Sequence, residues 1–170
     1  SDMSMFISAL VDPRKKVLAV DLDNTLWSGI LGEDGCHGIL ADSGWPGNAY
    51  REFQNFLRNL RASGVILAIL SKNNEDDVAE GFDQNRSMPL ALSDFSAKRI
   101  DWVDKSANLV SIAEELDLSS DAFVFMDDNP LEIALMKEMR PEITTIHATG
   151  VASKFPDLLM TSGRMNAVTM

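Results

Sequence analysis

Val17-Leu18-Ala19-Val20-Asp21-Leu22-Asp23-Asn24-Thr25 is a short apolar run that turns acidic at its C-terminal end. Preceded by the polar Arg14-Lys15-Lys16, it predicts a strand buried on both faces at the centre of a sheet. Asp21 and Asp23 stand at i and i+2, so their side chains would share one side were the strand to continue. A buried carboxylate pair without a cation is costly, and one member normally takes up a proton. Mg²⁺ resolves this, because it is satisfied by one or two carboxylates together with carbonyls, waters and phosphate oxygens. The plainer alternative is that aspartates close strands because they favour turns.

Outward from this stretch, the chain alternates helices with strands. Tyr50, Phe53, Phe56, Leu57 and Leu60 recur at helical spacing and predict a helix from Asn48 to Arg61, stopped by Gly64. Val65 to Leu70 reads as a second buried strand, ending at Ser71-Lys72-Asn73. Asn74 to Phe82 reads as a helix, with Asn74 the cap before Glu75, Asp76 and Asp77. Lys105 to Leu116 is a further helix with Leu109, Ile112, Ala113 and Leu116 on one face. Ala122 to Met126 is a third buried strand, ending at Asp127-Asp128-Asn129. Pro130 opens a helix to about Met139, and Ile143 to Ile146 reads as a fourth strand. Such alternation predicts a three-layer α/β/α Rossmann-like domain around a parallel sheet, in which ligands bind beyond the carboxyl ends of the strands. Asp21/Asp23, Ser71/Lys72 and Asp127/Asp128 all fall at such ends and are expected to converge. Asp127 and Asp128 then supply the remaining acidic ligand, though neighbours on a strand face opposite ways and are not expected to play equal parts.

Composition narrows the class. The chain has 170 residues, 45% apolar and 24% charged, which suits a single domain spanning 1–170. Ser1-Asp2-Met3 reads as a cloning remnant, and the tail 162–170, without a clear period, is expected to fray. With 26 acidic against 15 basic residues the net charge is −11, which repels a polyphosphate backbone and argues against nucleic-acid partners. No apolar run approaches the roughly 18 residues of a membrane span, and no signal peptide precedes the first strand. The single cysteine, Cys36, excludes an intramolecular disulfide and suits a reducing cytoplasm.

The four strand-end and helix-start positions resemble the haloacid dehalogenase-like superfamily motif by motif. Asp21 to Thr25 matches its Asp-x-Asp-x-Thr/Val first motif, Ser71 its second, Lys105 its third and Asp127-Asp128 its fourth, in order. The resemblance implies that Asp21 attacks phosphorus to give an aspartyl-phosphate. It implies that Asp23 acts as general acid and then general base, that Ser71 binds a phosphoryl oxygen, and that Lys105 keeps Asp21 ionised. Mg²⁺ would be held by Asp21, the Asp23 backbone carbonyl and an acid of the fourth motif, Asp128 rather than Asp127. Thr25, Lys72 and Asn73 are expected at the substrate, with a solvated loop the alternative for Lys72 and Asn73. Between Trp27 and Asn48 there is room for a flap but not a cap domain, and between Ser71 and Lys105 too little chain for a large lid.

Asp21 to Trp27, Gly32-Glu33-Asp34-Gly35, Leu70 to Asn73, Phe125 to Pro130 and the section Trp102 to Leu116 resemble, more narrowly, the FkbH-like branch of that superfamily. The similarity runs from about Val17 to Ile146. It implies removal of a three-carbon unit from 1,3-bisphosphoglycerate, its dephosphorylation, and loading of a glyceryl or lactyl group onto an acyl carrier protein, often within a larger polyketide synthase. Cys36, after the turn-rich Gly32 to Gly35, is then the candidate thiol for an acyl thioester, with His37 a weaker aid to thiolate formation. A small, inert apolar filler is the alternative for Cys36. Trp27, Trp45 and Trp102 line the site or a docking surface, or else pack in the core, and Arg51, Arg58 and Arg61 form either a docking patch or a solvated face. A plain uncapped phosphatase and a non-catalytic docking domain stand as the competing functions.

Overall fold

The structure, a computed structural model, describes residues 14–161; the expectations for residues 1–3 and 162–170 lie outside them. Five parallel strands make one sheet: β1 (Val17–Val20), β2 (Ile66–Ser71), β3 (Ala97–Ile100), β4 (Phe123–Asp127) and β5 (Thr144–His147), in the order β3-β2-β1-β4-β5. β1 lies at the centre, as its unbroken apolar run requires. Its alternate side chains enter different cores: Leu18 and Val20 pack in one, Val17 and Ala19 in the other. The first core is closed by α2 (Gly47–Ala62) through Phe53, Leu57 and Leu60, and by α3 (Glu75–Gln84) through Val78 and Phe82. The second is closed by α4 (Lys105–Leu116) through Leu109 and Ile112, and by α5 (Pro130–Met139) through Ile133 and Met136. The three-layer expectation holds, and among the described residues no large cap domain interrupts it.

Two elements differ from the sequence expectation. β3 adds a fifth strand where none was foreseen: Ala97-Lys98-Arg99-Ile100 has two cations in four residues and lacks the run that marks a buried strand. An edge strand needs only one paired side, and charge on it discourages pairing with another chain. The second is α1 (Leu31–Asp34), a single turn inside the expected flap. Residues 28–40 leave and rejoin the body as a pair, Ser28 and Leu40 exchanging backbone bonds of 2.8 and 3.0 Å. The flap is pinned down by buried Leu31 and Ile39, which pack over Gly81 of α3. Gly38 must lack a side chain, because a Cβ there would lie 2.2 Å from the Asp34 carbonyl oxygen.

The strand order places the topological switch between β1 and β4, the crevice where doubly wound sheets bind ligands. Val20 is in register with Met126, so the next residues along, Asp21 and Asp127, meet across that crevice.

Candidate active site

Asp21 leaves the end of β1 with its backbone N–H donated to the Met126 carbonyl of β4 at 3.0 Å. Its carboxylate, 7% exposed, joins those of Asp127 and Asp128, each offering an oxygen within 4.8 Å of the others. Lys105, the first residue of α4 and itself buried, donates to Asp127 Oδ2 at 2.5 Å and Asp21 Oδ1 at 3.2 Å. Three acids thus crowd together, two of them sharing one ammonium.

The titration behaviour follows from that imbalance. Burial pushes the Asp21 carboxyl up to about 7 despite the opposing charge of Lys105. Burial and the charge of Asp21 likewise raise Asp127 to about 7, against Lys105. Asp128, half-buried, is raised mainly by desolvation, and lies close enough to Asp21 to share a proton. Burial alone would lower the Lys105 ammonium, but Asp21 and Asp127 outweigh it and hold it above its usual value. One positive charge does not balance this acid set.

The donor set fits Mg²⁺, a hard ion that takes carboxylate oxygens and keeps open positions for water and phosphate. The two acids of the fourth motif both enter the cluster, because β4 stops at Asp127 and Asp128 no longer follows strand alternation. Their parts are nonetheless unequal. Asp127 has one oxygen on Lys105 and the other accepting from the Asn129 backbone N–H at 2.9 Å. Asp128 is the more exposed of the two. Its backbone carbonyl accepts from His147 Nε2 at 2.9 Å, which ties the loop to the end of β5.

Asp23 follows the end of β1 at Val20, and the chain turns just after it, at Asn24, with φ 55°. Its Oδ1 accepts from Trp27 Nε1 at 3.1 Å and the Leu31 N–H at 2.9 Å, and its Oδ2 from Asn73 Nδ2 at 3.0 Å. The Asp23 carboxylate is therefore outside the metal cluster, and any part in holding a cation falls to its backbone carbonyl. Asn73, 5% exposed, also donates to Ser71 Oγ at 3.1 Å and so couples the second motif to Asp23.

Thr25 is fully enclosed, and its Oγ1 has no hydrogen-bond partner. Lys72 is half-buried at the rim, its Nζ 3.4 Å from Glu132 Oε2. Glu132, in the first turn of α5, is buried and was not foreseen; its only local signal is an acid near a helix start.

Cys36 sits on the flap, half-buried, in a separate cleft of about 410 Å³ lined by Leu31, Gly35, His37, Asp77 and Glu80 among others. Its Sγ donates to Glu80 Oε1 at 3.6 Å, and desolvation and that carboxylate push the thiol above its ordinary value. A neighbouring acid disfavours the thiolate, the reactive form. His37 is exposed. Of the tryptophans, Trp27 is core, whereas Trp45 and Trp102 are 86% and 68% exposed. Arg51, Arg58 and Arg61 are exposed on α2, Arg61 3.7 Å from Asp94. Among the described residues no helix is long and apolar enough to cross a membrane.

No family model matches the chain, and no curated protein matches it. Solved structures do. The N-terminal part of the protein BF1531 from Bacteroides fragilis, containing a phosphatase domain complexed with Mg, is 35% identical over 88% of this chain with a TM-score of 0.83, and the present chain spans 40% of that one. The 3-deoxy-D-manno-octulosonate 8-phosphate phosphatase of Moraxella catarrhalis, in complex with magnesium, phosphate and its sugar, aligns over 99% of this chain and 97% of its own at 18% identity and a TM-score of 0.50. A Legionella pneumophila protein described as a subfamily III A hydrolase of the haloacid dehalogenase superfamily aligns over 98% and 94% at 17% identity and a TM-score of 0.53. The chain shares its three-layer α/β/α fold with these structures, the phosphatase domain of BF1531 among them.

Proposed function

We propose that the chain is a Mg²⁺-dependent phosphohydrolase whose nucleophile is Asp21. One observation carries this reading: Asp21, Asp127, Asp128 and Lys105 meet in the crevice between β1 and β4 with more negative than positive charge. The Mg-complexed phosphatase domain of BF1531, alike in fold and 35% identical, supports it.

Asp21 and Asp128 would hold the ion with the Asp23 carbonyl, and when bound the ion would offset the charge of the carboxylates and of the arriving phosphoryl group. Asp21 Oδ attacks phosphorus; the new O–P bond forms as the ester P–O bond breaks, leaving an aspartyl-phosphate. Asp23 gives the leaving oxygen a proton and later takes one from the water that opens the acyl phosphate, restoring Asp21. Its three donors, Trp27, Leu31 and Asn73, hold it in place for both steps. Ser71 Oγ, which accepts from Asn73, donates to a phosphoryl oxygen, and Lys105 opposes the burial that disfavours ionised Asp21. Hydrolysis of a generic aryl phosphate by the purified protein, with and without Mg²⁺, tests the reading. No turnover and no Mg²⁺ affinity would favour a docking domain that keeps only the fold.

A finer second reading has Cys36 accept a three-carbon acyl group from 1,3-bisphosphoglycerate and pass it to the thiol of an acyl carrier protein, within a polyketide-forming assembly. Its support is the resemblance of the quoted stretches, the open cleft beside Cys36, and the anchoring of the flap to Asp23 through Leu31. Glu80 weighs against it. A glyceryl-sized mass on the Cys36 peptide after incubation with that acyl phosphate and Mg²⁺ would establish it; phosphate release with an unmodified peptide leaves hydrolysis alone.

A further inference from the structure

Glu132 is a buried carboxylate that the chemistry above does not use. It lies three residues after Asn129, at the spacing of a capping box, where it would accept from the backbone N–H of the N-cap residue. That N–H is already taken by Asp127 Oδ1 at 2.9 Å, and the Asn129 side chain itself accepts from the Leu131 N–H at 2.9 Å. The helix start is capped without Glu132, whose Oε2 makes no hydrogen bond of good geometry. It meets two ammoniums instead: Lys72 Nζ at 3.4 Å and Lys105 Nζ at 3.9 Å. A carboxylate only 7% exposed persists as a charge when cations are beside it. The two lysines it meets come from different elements, one following the phosphoryl-binding Ser71 and the other lying between Asp21 and Asp127.

We propose that Glu132 is a positioning residue for anion binding, holding Lys72 at the rim beside Ser71 and backing Lys105 with a third acid. This rests on the phosphoryl reading for its purpose. Lys72 is a half-exposed cation, so an arriving phosphate draws it by charge, and Glu132 keeps it in the place where that attraction is productive. Glu132 touches no reacting atom and acts through the two lysines.

Competitive acetylation with acetic anhydride, read by peptide mass spectrometry, tests the contact without any need for turnover. In E132Q, labelling of Lys72 should rise several-fold while exposed Lys137 and Lys154 stay unchanged as internal controls. Calorimetry with orthophosphate and Mg²⁺ tests the purpose. E132Q and K72Q should each weaken phosphate about tenfold, their double variant no further, and E132D should recover most of the loss. In aryl phosphate hydrolysis the E132Q defect should fall more on KM than on kcat. Should E132Q fail to fold, K72Q carries the calorimetric readout, and slow labelling of Lys72 in the wild-type protein relative to Lys137 and Lys154 reports the contact. Unchanged Lys72 labelling overturns the contact. A lower Tm with phosphate affinity intact, or additive losses in the double variant, overturns the positioning role. If the wild-type protein binds no phosphate and hydrolyses no ester, the phosphoryl reading fails and the purpose assigned to Glu132 falls with it, while the labelling still reports the contact.

Discussion

The crevice between β1 and β4 and the flap carrying Cys36 are both acidic, and they are built differently. In the crevice, acids from two strands converge on a buried lysine from a helix start, and the excess negative charge calls for a cation. On the flap, a half-buried thiol lies against a single carboxylate, with no cation in contact to stabilise a thiolate among the described contacts. Burial raises titration points in both places. In the crevice that strain is relieved by metal; on the flap it leaves a protonated thiol. Chemistry built into a fold shows as convergence of complementary charge, and a reactive residue type alone does not supply it.

The sharpest way to break this contrast is to remove the nucleophile. Asp21→Asn should lower turnover by roughly 10⁴-fold or more, and a steady-state assay showing a much smaller loss would place the reacting group elsewhere. Lys105→Met should cut turnover and also destabilise the fold by about 3–5 kcal/mol, because Asp21 and Asp127 are left buried without their ammonium; denaturant titration of the metal-free protein checks this. Retained stability would mean the acids take up protons in its place.

Removing metal sharpens the comparison from the other side. Mg²⁺ at a hundredfold excess over its Kd should stabilise the protein by about 2.7 kcal/mol, and chelation should abolish turnover. The metal-free protein should also lose stability as pH rises from about 4 to about 7. In that interval the folded state keeps protons on Asp21 and Asp127 that the unfolded chain has released, so each step up in pH favours unfolding, and the slope ends above about 7. Urea midpoints that stay flat across that range would contradict the crowding of unbalanced acids. The smallest effect is expected at the flap: Cys36→Ser should change phosphate release by no more than about twofold, and a larger loss would move the thiol into the chemistry.

Much of the crevice was legible before any coordinates. Apolar runs that end abruptly in Asp21, Ser71 and Asp127 mark strand ends, and helix boundaries at Lys105 and Pro130 follow from spacing and from proline at a first turn. What escaped depends on contacts between distant residues or on a local break in regularity. β3 lacks an apolar run because an edge strand with two cations needs none. The partners that hold Asp23, Leu31 and Asn73, lie far from it in sequence, in the flap and beyond β2. Asp128 escapes strand alternation because the strand stops one residue earlier. Glu132 resembles an ordinary helix-start acid until Asp127 is seen to take the cap's N–H. Thr25 belongs to a motif, yet its burial is set by packing that the motif does not describe.

The central claim is tested most directly by trapping the intermediate. The wild-type protein, mixed with an acyl phosphate donor and Mg²⁺ and quenched in acid, should carry a phosphoryl-sized mass, labile to hydroxylamine, on the peptide containing Asp21, and Asp21→Asn should carry none. Phosphate release at full rate with the label on another residue, or with label persisting in Asp21→Asn, would contradict the account.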